Sequence, residues 1–490
     1  TYEKYETVIG LEIHAQMSTK SKAFCGDSAT FGGDPNTHIS PISLAHPGTL
    51  PRANKKHIEN AVKLGLATDC TINQVNYFDR KNYFYPDLPK GFQTTQDNQP
   101  VCVAGNVAIK VNGTIRNIRL NRIHMEEDAG KSIHDLAPNF SMIDLNRAGV
   151  PLLEIVSEPD LRSAEEAGIF VANVRQLVRY LEVSDGNMEE GSLRCDCNIS
   201  VRLKGETEYG TRCEIKNVNS ISNVRLSIAA EAKRQIDMIE RGETIIQQTR
   251  TFDTVKGITL ALRSKEDAHD YRYFPEPDLP PIVISDEELA TIKANLPALP
   301  KVLFERLTAE FGLSEYDATI IVEDKPMALY YIELAKHTTN YKAAANWLIN
   351  TIRFYLNEKN ESIIDFPVSP QGIAALITLI DTDKLGNLAA KKNVFPALVK
   401  SPDRAPLEIA KSLNLIQEDD EDFITTIVKD VLSKYEKEVT EYKKLPNSSK
   451  GKKRKKGLIS LFVGKVMQAS RGKANPKIAT GTIMRIIDNG

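Results

Sequence analysis

The chain has 490 residues and a nearly balanced charge, with 63 lysines and arginines against 65 aspartates and glutamates. This length predicts two to four domains with enough material for a core. The charge balance excludes a generally basic protein, so any nucleic-acid surface must be local. No apolar run approaches the ~20 residues of a membrane span. Six cysteines without paired metal-finger spacing indicate a reducing compartment and no disulfide framework.

Four segments of the N-terminal part alternate charged and apolar residues. Because strand side chains point to opposite faces in turn, each segment predicts a strand with one ionic and one apolar face. The ionic faces carry Glu12, His14 and Gln16; Arg122, His124 and Glu126; Arg194, Asp196 and Asn198; and Arg212, Glu214 and Lys216.

If these four strands share one antiparallel sheet, its polar surface gathers several carboxylates, a histidine and cations. Like charges repel unless a metal or basic groups offset them, so the pattern favours hard-cation and phosphate chemistry. The alternative is a solvated outer sheet face, where alternating charges are ordinary. Strict alternation turns Glu127 away from Glu126, although a bulge could bring both carboxylates to one side.

Helical spacing predicts three helices in the same part of the chain. In HIENAVKLGLA, Ile58, Val62 and Leu66 share one face. A second helix is predicted after Ser163, a suitable N-cap, and a third ends near Gly242, a suitable C-cap.

Two segments lack helical or simple strand character. Residues 76–96 are dense in aromatic and turn residues, which fits either a packed surface loop or a loop bordering a ligand cleft. Residues 271–281 hold four prolines and cannot be helix interior, so we expect a stiff exit from the first domain.

Helical periodicity dominates the remainder, which predicts a helical domain over residues 285–405 and a small helical tail domain over 406–490. Between Lys443 and Gly457 the tail carries eight lysines and arginines and no acid. Such a run is often a solvated loop, but a flexible basic loop also attracts phosphate backbones.

Eight segments, in chain order, resemble the B subunits of the aspartyl/glutamyl-tRNA amidotransferase family, and the resemblance spans essentially the whole chain. They are YETVIGLEIHAQ, FDRKNYFYPDLPKG, RIHMEEDAGK, DLNRAGVPLLEIVSEPD, MEEGSLRCDCNISVR, EIKNVNS, YRYFPEPDLPP and GKVMQASRGKANPK.

The resemblance implies an α+β fold in which residues 1–284 form an antiparallel-sheet cradle like the catalytic domain of glutamine synthetase. Two all-α domains follow, and the tail holds tRNA. The implied reaction activates the glutamyl side chain of misacylated Glu-tRNA(Gln) with ATP, and ammonia then gives Gln-tRNA(Gln). A partner amidase subunit supplies the ammonia from glutamine, and a small third subunit would complete a heterotrimer.

Matching the family's motifs assigns functional roles to particular residues. The implied magnesium ligands are Glu12, His14, Glu126, Glu127, Asp196 and Glu214. The candidates for catalytic contacts are Arg147, Arg194, Lys216 and Glu154, and those for nucleotide contacts are His124, Lys131, Arg194 and Lys216. For each cation, a structural ion pair is the alternative. No Walker-type glycine-rich loop is present, which fits a nucleotide held by sheet and metal.

The sequence departs from the family at a zinc motif. Ser40 and Ser43 stand where many members have a Cys-x-x-Cys pair, and only Cys25 lies upstream. Since such a site needs four ligands, we predict that zinc is absent. The lost cysteines, the start at Thr1 without methionine and the Lys/Asn-rich texture favour a mitochondrial matrix form, with a prokaryotic cytoplasmic one as the alternative.

Two other functions fit parts of the sequence. The chain could be a non-catalytic scaffold that binds tRNA and docks the amidase, although clustered carboxylates do not suit pure RNA binding. It could also be a small-molecule ligase of glutamine synthetase type, but such an enzyme would not need the basic helical tail. The preference between Glu-tRNA(Gln) and Asp-tRNA(Asn) stays open.

Overall fold

The structure is a computed structural model, which describes residues 2–134, 139–264, 271–417, 421–446, 448–470 and 472–489. The chain divides into two compact units, residues 1–300 and residues 301–490. The first unit contains all the strands described below and the second is helical. Within the described residues, no helix combines the length and apolar character that crossing a bilayer requires.

Seventeen strands are present among the described residues. They are β1 Tyr5–Gln16, β2 Thr71–Ile72, β3 Val75–Asn76, β4 Asp79–Asn82, β5 Phe92–Thr95, β6 Cys102–Val103, β7 Asn106–Val111, β8 Thr114–Glu127, β9 Lys131–Ile133, β10 Met142–Asp144, β11 Pro151–Ser157, β12 Leu193–Leu203, β13 Cys213–Val218, β14 Gln248–Asp253, β15 Ile258–Ser264, β16 Phe274–Pro275 and β17 Ile282–Val283.

Ten of these strands form the main sheet, in the order β15-β14-β13-β12-β1-β11-β8-β6-β2, with β7 paired to β8 off this path. All neighbours are antiparallel except β13 and β14, which are parallel. The smaller pairings are β16-β4-β5, β9-β10 and β3-β17.

Seventeen α-helices are described. They are α1 Lys55–Ala67, α2 Ala164–Tyr180, α3 Ile221–Glu240, α4 Asp286–Ala294, α5 Pro300–Ala309, α6 Glu315–Val322, α7 Lys325–Ala335, α8 Tyr341–Asn346, α9 Arg353–Lys359, α10 Pro370–Asp381, α11 Asn387–Ala389, α12 Phe395–Lys400, α13 Pro406–Ser412, α14 Glu421–Lys434, α15 Glu436–Lys444, α16 Ser449–Ala469 and α17 Pro476–Asn489. Short 3₁₀ turns occupy Tyr2–Lys4 and Ile363–Asp365, and π-helical turns occupy Trp347–Ile352 and Ala390–Val394.

The apolar face of the main sheet packs against helices α1, α2 and α3. Ile9, Leu11 and Ile13 of β1 are fully or almost fully buried in one core with Phe170 of α2 and Ile228 of α3. Covering one sheet face with helices leaves the opposite face free to carry the charged residues of the same strands.

The predicted α+β class and all three predicted helices of the first unit are confirmed. The Ser163 side chain accepts a hydrogen bond from the Glu166 amide, which caps α2 as expected. Gly242 lies just beyond α3 at φ +76°, a backbone conformation that favours glycine at a helix C-terminus. The resemblance to glutamine synthetase and the boundary at residue 405 stay predictions.

The proline-rich segment 271–281 is paired within the first unit, and its role as the exit from the first domain stays a prediction. Phe274–Pro275 pairs with β4, and Arg80 of β4 donates two hydrogen bonds to the buried Glu276 carboxylate, at 2.7 and 2.8 Å. Ile282–Val283 then pairs with β3. Prolines are compatible with such short edge pairings because an edge strand leaves some amide positions unpaired.

The basic run of the tail is not a flexible loop. Residues 449–457 form the first turns of α16, which Ser448 caps by accepting from the Gly451 amide at 3.2 Å. The helix packs its apolar residues, including Phe462 and Val466, against α14 and α17 in a small core of its own. Tertiary packing therefore keeps a lysine-rich sequence helical.

Candidate functional site

The centre of the charged surface is β1, which lies between β12 and β11. Its Glu12 stands opposite Asp196 of β12. Two residues further on, His14 stands opposite Arg194 on one side and Glu154 on the other. The alternation that makes β1 amphipathic thus aims Glu12 at a charged neighbour on β12 and His14 at charged neighbours on both flanking strands.

The next strands extend the same rows. On the β11–β8 pair, Glu154 stands opposite His124 and Leu152 stands opposite Glu126. At the other side, Asn198 of β12 stands opposite Glu214 of β13. The four segments predicted from alternation therefore do share one sheet. Strand β11, which the alternation argument did not include, separates two of them.

Glu12, Asp196 and Glu214 form a first cluster, which we call the carboxylate triad. Each offers a carboxylate oxygen, and these oxygens lie within 4.8 Å of one another. The Asn198 amide donates to Glu12 Oε1 at 2.9 Å, and the Asn217 backbone N–H donates to Asp196 Oδ1 at 2.8 Å. These two hydrogen bonds hold the carboxylates of Glu12 and Asp196 in place although their negative charges repel each other.

The electrostatics of the carboxylate triad show the cost of this proximity. Burial, together with the charges of Glu154, Glu214 and Asp196, raises the pKa of Glu12. The Lys216 ammonium lies 3.3 Å from a Glu214 oxygen and 3.6 Å from an Asp196 oxygen. Burial opposes the charge of Lys216, but the surrounding carboxylates outweigh it and raise the pKa of this lysine. One lysine offsets only part of the negative charge.

A second cluster, the histidine–glutamate cluster, comprises His14, Glu126, Glu154 and His124. His14 Nε2 lies 3.7 Å from Glu126 Oε1 and 3.5 Å from Glu154 Oε2. His124 Nε2 lies 3.2 Å from the same Glu154 oxygen and 3.7 Å from Glu126 Oε2. The donor atoms of His14, Glu126 and Glu154 fall within 4.8 Å of one another, close enough to hold one cation.

The pKa shifts in this cluster reflect a strongly negative site. Burial disfavours protonation of His14, but the hydrogen bond to Glu154 and the charges of Glu154, Glu126 and Asp196 raise its pKa to about 9. Burial likewise disfavours ionisation of Glu154, yet His124 and His14 hold its pKa well below the usual range. A site that binds protons this tightly also favours other cations.

Arg194 and Arg147 converge on one buried carboxylate, Asp128. Arg194 Nη2 lies 2.9 Å from Asp128 Oδ2, and Gln16 donates to the same oxygen at 2.6 Å. Arg147 Nε lies 3.8 Å from it and donates to the Ala129 carbonyl at 2.9 Å. Arg194, which stands opposite His14, therefore borders the histidine–glutamate cluster from an anchored position, and Arg147 lies beside the same Asp128.

Two of the predicted site residues, Glu127 and Lys131, take no part in these contacts. No register shift separates Glu126 from Glu127, so no bulge turns Glu127 to the polar face. Its carboxylate pairs with Lys90 and accepts from the Thr94 backbone N–H at 2.8 Å. The structure thus does not bring Glu127 to the other predicted metal ligands. Lys131 is exposed on the β9–β10 ribbon.

Glu127 instead lines a cavity of about 250 Å³. Residues 79–82 and 92–95 form the β4–β5 hairpin, and Arg80, Lys90 and Phe92 contribute to the cavity wall. The aromatic segment therefore borders a cleft, in agreement with the second of the two interpretations. Ser43 also lines this cavity, and its hydroxyl donates a hydrogen bond to Asp27 at 2.5 Å. This bond stabilises the segment in which many family members have the Cys-x-x-Cys pair.

Sequence reasoning missed several residues that hold the clusters in place. Asp128 anchors Arg194, Thr95 donates to Glu126 at 3.4 Å, and Thr249 donates to Glu214 at 3.2 Å. Asp128 could have been noticed as the third acid of the Glu126–Asp128 run. The two threonines carry no signal in the sequence, because their role depends on strand pairing.

Two family models match the chain. One, described as the GatB/GatE catalytic domain, matches residues 7–290, and one described as the GatB domain matches residues 329–487. Together they match more than half of the chain, and the first includes both clusters.

Curated relatives cover nearly the whole length. The chain is similar to the B subunit of the aspartyl/glutamyl-tRNA(Asn/Gln) amidotransferase of Caldicellulosiruptor bescii, at 47% identity over 97% of both chains. The proteins of the same name from Chlorobium phaeobacteroides, at 47% identity over 99% of both, and Persephonella marina, at 45% over 99% of this chain and 100% of the relative, are also similar. These relatives are bacterial, so they do not support the expected mitochondrial location and agree with the prokaryotic alternative.

Proposed function

The chain belongs to the family of B subunits of the aspartyl/glutamyl-tRNA amidotransferases, and we propose that it carries out the synthetic half of that reaction. In this proposal it activates the side-chain carboxylate of Glu-tRNA(Gln) with ATP and amidates it with ammonia. A partner amidase releases that ammonia from glutamine.

The carboxylate triad is the observation that carries the proposal. Three carboxylate oxygens within 4.8 Å of one another are a suitable donor set for Mg²⁺, which prefers oxygen ligands. When bound there, Mg²⁺ would neutralise phosphate charge during phosphoryl transfer. Burial raises the pKa of Glu12, and the neighbouring carboxylates Glu154, Glu214 and Asp196 raise it further, so a bound cation would favour the ionised form of Glu12.

The neighbouring residues then position the reacting groups. Lys216 borders the carboxylate triad, where its ammonium is suited to contact a phosphate oxygen. Arg194 is held by Asp128 beside the histidine–glutamate cluster, and we assign it a contact with the transferred phosphoryl group. Glu154 lies close to both His14 and His124, so it fixes the orientation of their rings.

Several finer features belong to the same proposal. We infer ATP and Mg²⁺ as the cofactors, a cradle related to glutamine synthetase, and a heterotrimer with the amidase and a small third subunit. We retain the prediction that zinc is absent, because Ser40 and Ser43 cannot supply thiolates. Metal analysis of the purified protein tests this, and stoichiometric zinc would contradict it.

The function is tested with the co-purified native complex, assayed for Gln-tRNA(Gln) formation from Glu-tRNA(Gln), ATP and glutamine. Glu12→Gln removes one charge of the carboxylate triad with little change in shape. We expect it to reduce ATP-dependent amide formation at least about 100-fold, since placing and neutralising phosphate is most of the catalysis in this chemistry.

Glu6→Gln is the matched control, because Glu6 lies on the same strand but outside both clusters, paired with Arg202. We expect this variant to keep near-normal turnover. Both variants should still co-purify with the partner subunits. Unchanged turnover of Glu12→Gln would favour the non-catalytic scaffold, and efficient use of free glutamate in place of charged tRNA would favour the small-molecule ligase.

A further inference from the structure

Four tyrosines form a continuous ring series beside the histidine–glutamate cluster, which we call the tyrosine ladder. Its members are Tyr85, Tyr83, Tyr271 and Tyr273, in that order. Successive ring centroids are 6.2, 6.1 and 6.0 Å apart, and each pair meets edge to face. Tyr85 is 56% exposed and Tyr273 is 36% exposed, so both ends of the ladder reach solvent.

Strand pairing places this ladder next to the polar face of the main sheet. The ladder follows directly from β4, whose last residue Asn82 stands opposite Phe92 of β5, and Phe92 and Glu127 line the same cavity. The Asn82 backbone N–H donates to the Tyr271 carbonyl at 3.0 Å, which joins the two tyrosine-bearing segments. The ladder therefore lies near the Glu127 end of β8, next to Glu126 of the histidine–glutamate cluster.

A cation lies against the middle of the ladder. Lys81 Nζ is 4.7 Å from the ring centroid of Tyr271 and 5.9 Å from that of Tyr83. Within the part of the chain that the structure describes, no carboxylate lies within ion-pair distance of this ammonium. Aromatic rings with an ammonium beside them are a combination that suits single-stranded nucleic acid, which offers both base faces and phosphates.

We propose that the tyrosine ladder is a stacking platform for the unpaired 3′-terminal nucleotides of the charged tRNA, with Lys81 meeting their phosphates. The inference rests on the proposed function, because a tRNA end must reach the acidic clusters for its glutamyl group to react. The length of the ladder selects this occupant over ATP. The rings meet edge to face, so each exposed ring offers a separate face to one base; a nucleotide cofactor supplies one base, whereas a strand supplies several.

The first test measures the KM for Glu-tRNA(Gln) and the KM for ATP of the native complex carrying Tyr271→Leu or Tyr273→Leu. Losing one stacking ring should raise the KM for Glu-tRNA(Gln) roughly 5- to 100-fold and leave the KM for ATP unchanged. Tyr271→Phe and Tyr273→Phe are matched controls that keep the ring, and both should behave like the wild type.

The second test does not depend on turnover. A tRNA transcript with 2-aminopurine as its 3′-terminal base should change fluorescence when it binds the wild-type complex, because stacking on a ring quenches the base. The leucine variants should lose most of that change and the phenylalanine variants should keep it. Circular dichroism melting identifies any variant whose fold is damaged.

The outcomes separate this inference from the proposed function. If the wild-type complex makes Gln-tRNA(Gln) but the leucine variants retain a normal KM for Glu-tRNA(Gln) and normal quenching, the ladder is not the platform. A raised KM for ATP alone would mean that the rings hold the adenine of the nucleotide, which also overturns the inference. If the wild-type complex forms no Gln-tRNA(Gln), the proposed function fails, whatever the fluorescence shows.

Discussion

Glu154 contacts histidines from two different strands, and this single carboxylate explains how the second cluster offsets part of its own charge. His14 comes from β1 and His124 from β8, and β11 inserts Glu154 between them. Each histidine gains a partner that favours its protonated form, against the opposing effect of burial, and the pKa of each is raised. Each ring therefore holds a proton more readily than a free imidazole, and such a proton offsets part of the negative charge of the site.

A third histidine shows the opposite behaviour and leads to a pH prediction. His57 of α1 is buried, and burial lowers its pKa to about 4 despite the hydrogen bond that Nε2 donates to the Leu152 carbonyl at 3.2 Å. An unfolded histidine titrates near pH ~6.5, so the unfolded state takes up the proton first. Stability is therefore lost as pH falls from ~6.5 towards ~4, by roughly 3 kcal/mol for this group.

His57→Gln keeps a donor for the Leu152 carbonyl but cannot titrate. We expect its free energy of unfolding, measured with denaturant, to fall less than that of the wild type between about pH 7 and about pH 4. Other groups titrate in both proteins, so the difference between the two pH profiles is the relevant quantity. Parallel pH profiles of the two proteins would show that protonation of His57 does not destabilise the folded state.

Helix α16 begins with an unfavourable charge distribution. Cations near a helix N-terminus are repelled by the helix dipole, and the exposed Lys450, Lys452 and Lys453 lie in the first turns of α16. Arg454 is paired with Glu441 of α15 at 2.7 Å, but this pair offsets only one of the charges. Such an arrangement is consistent with a surface that binds phosphates, because an anionic ligand would relieve the repulsion.

The corresponding prediction concerns tRNA affinity. Replacing Lys452, Lys453 and Lys456 with glutamine should weaken binding of Glu-tRNA(Gln) by the native complex, because fewer phosphates are then neutralised. The slope of log K against log salt should become shallower by about 1 for each phosphate that the variant no longer binds. Filter binding at several salt concentrations measures both quantities.

The control variant replaces the exposed Lys342, Lys359 and Lys400 with glutamine. These lysines lie outside the tail domain, so the variant removes the same amount of charge elsewhere in the helical unit. This control should alter the salt slope much less. Equal effects of the two triple variants would assign the contribution of α16 to net charge alone.

The carboxylate triad and the histidine–glutamate cluster lie in a single sheet of the first unit. The synthetic chemistry that we propose for these clusters consumes ammonia, so it does not depend on glutamine as the source of that ammonia. We therefore expect ammonium chloride to replace glutamine in the native complex, giving Gln-tRNA(Gln) formation that still requires ATP. The assay is formation of Gln-tRNA(Gln) with each nitrogen donor.

Glu12→Gln should abolish amide formation with either nitrogen donor and leave glutamine hydrolysis by the partner measurable. A variant that lost activity with glutamine but kept it with ammonium chloride would place the role of Glu12 in communication with the amidase. That result would contradict the role in phosphate chemistry that we assign to the carboxylate triad.

The sequence alone determined which residues could share a face. Alternation is a local property, set by the geometry of each strand, so the charged faces of β1, β8, β12 and β13 could be read from single segments. The helix caps at Ser163 and Gly242 were equally local. The family resemblance supplied the reaction and the candidate ligands among those residues.

Only the tertiary structure decided how those faces are combined. The order of strands depends on pairings between segments far apart in the chain, which no local pattern encodes. This order places β11 between β1 and β8 and divides the charged residues into two clusters. The same long-range packing folds residues 271–281 back onto β4. It also stabilises the helix of the basic run, because favourable burial elsewhere outweighs the repulsion among its lysines.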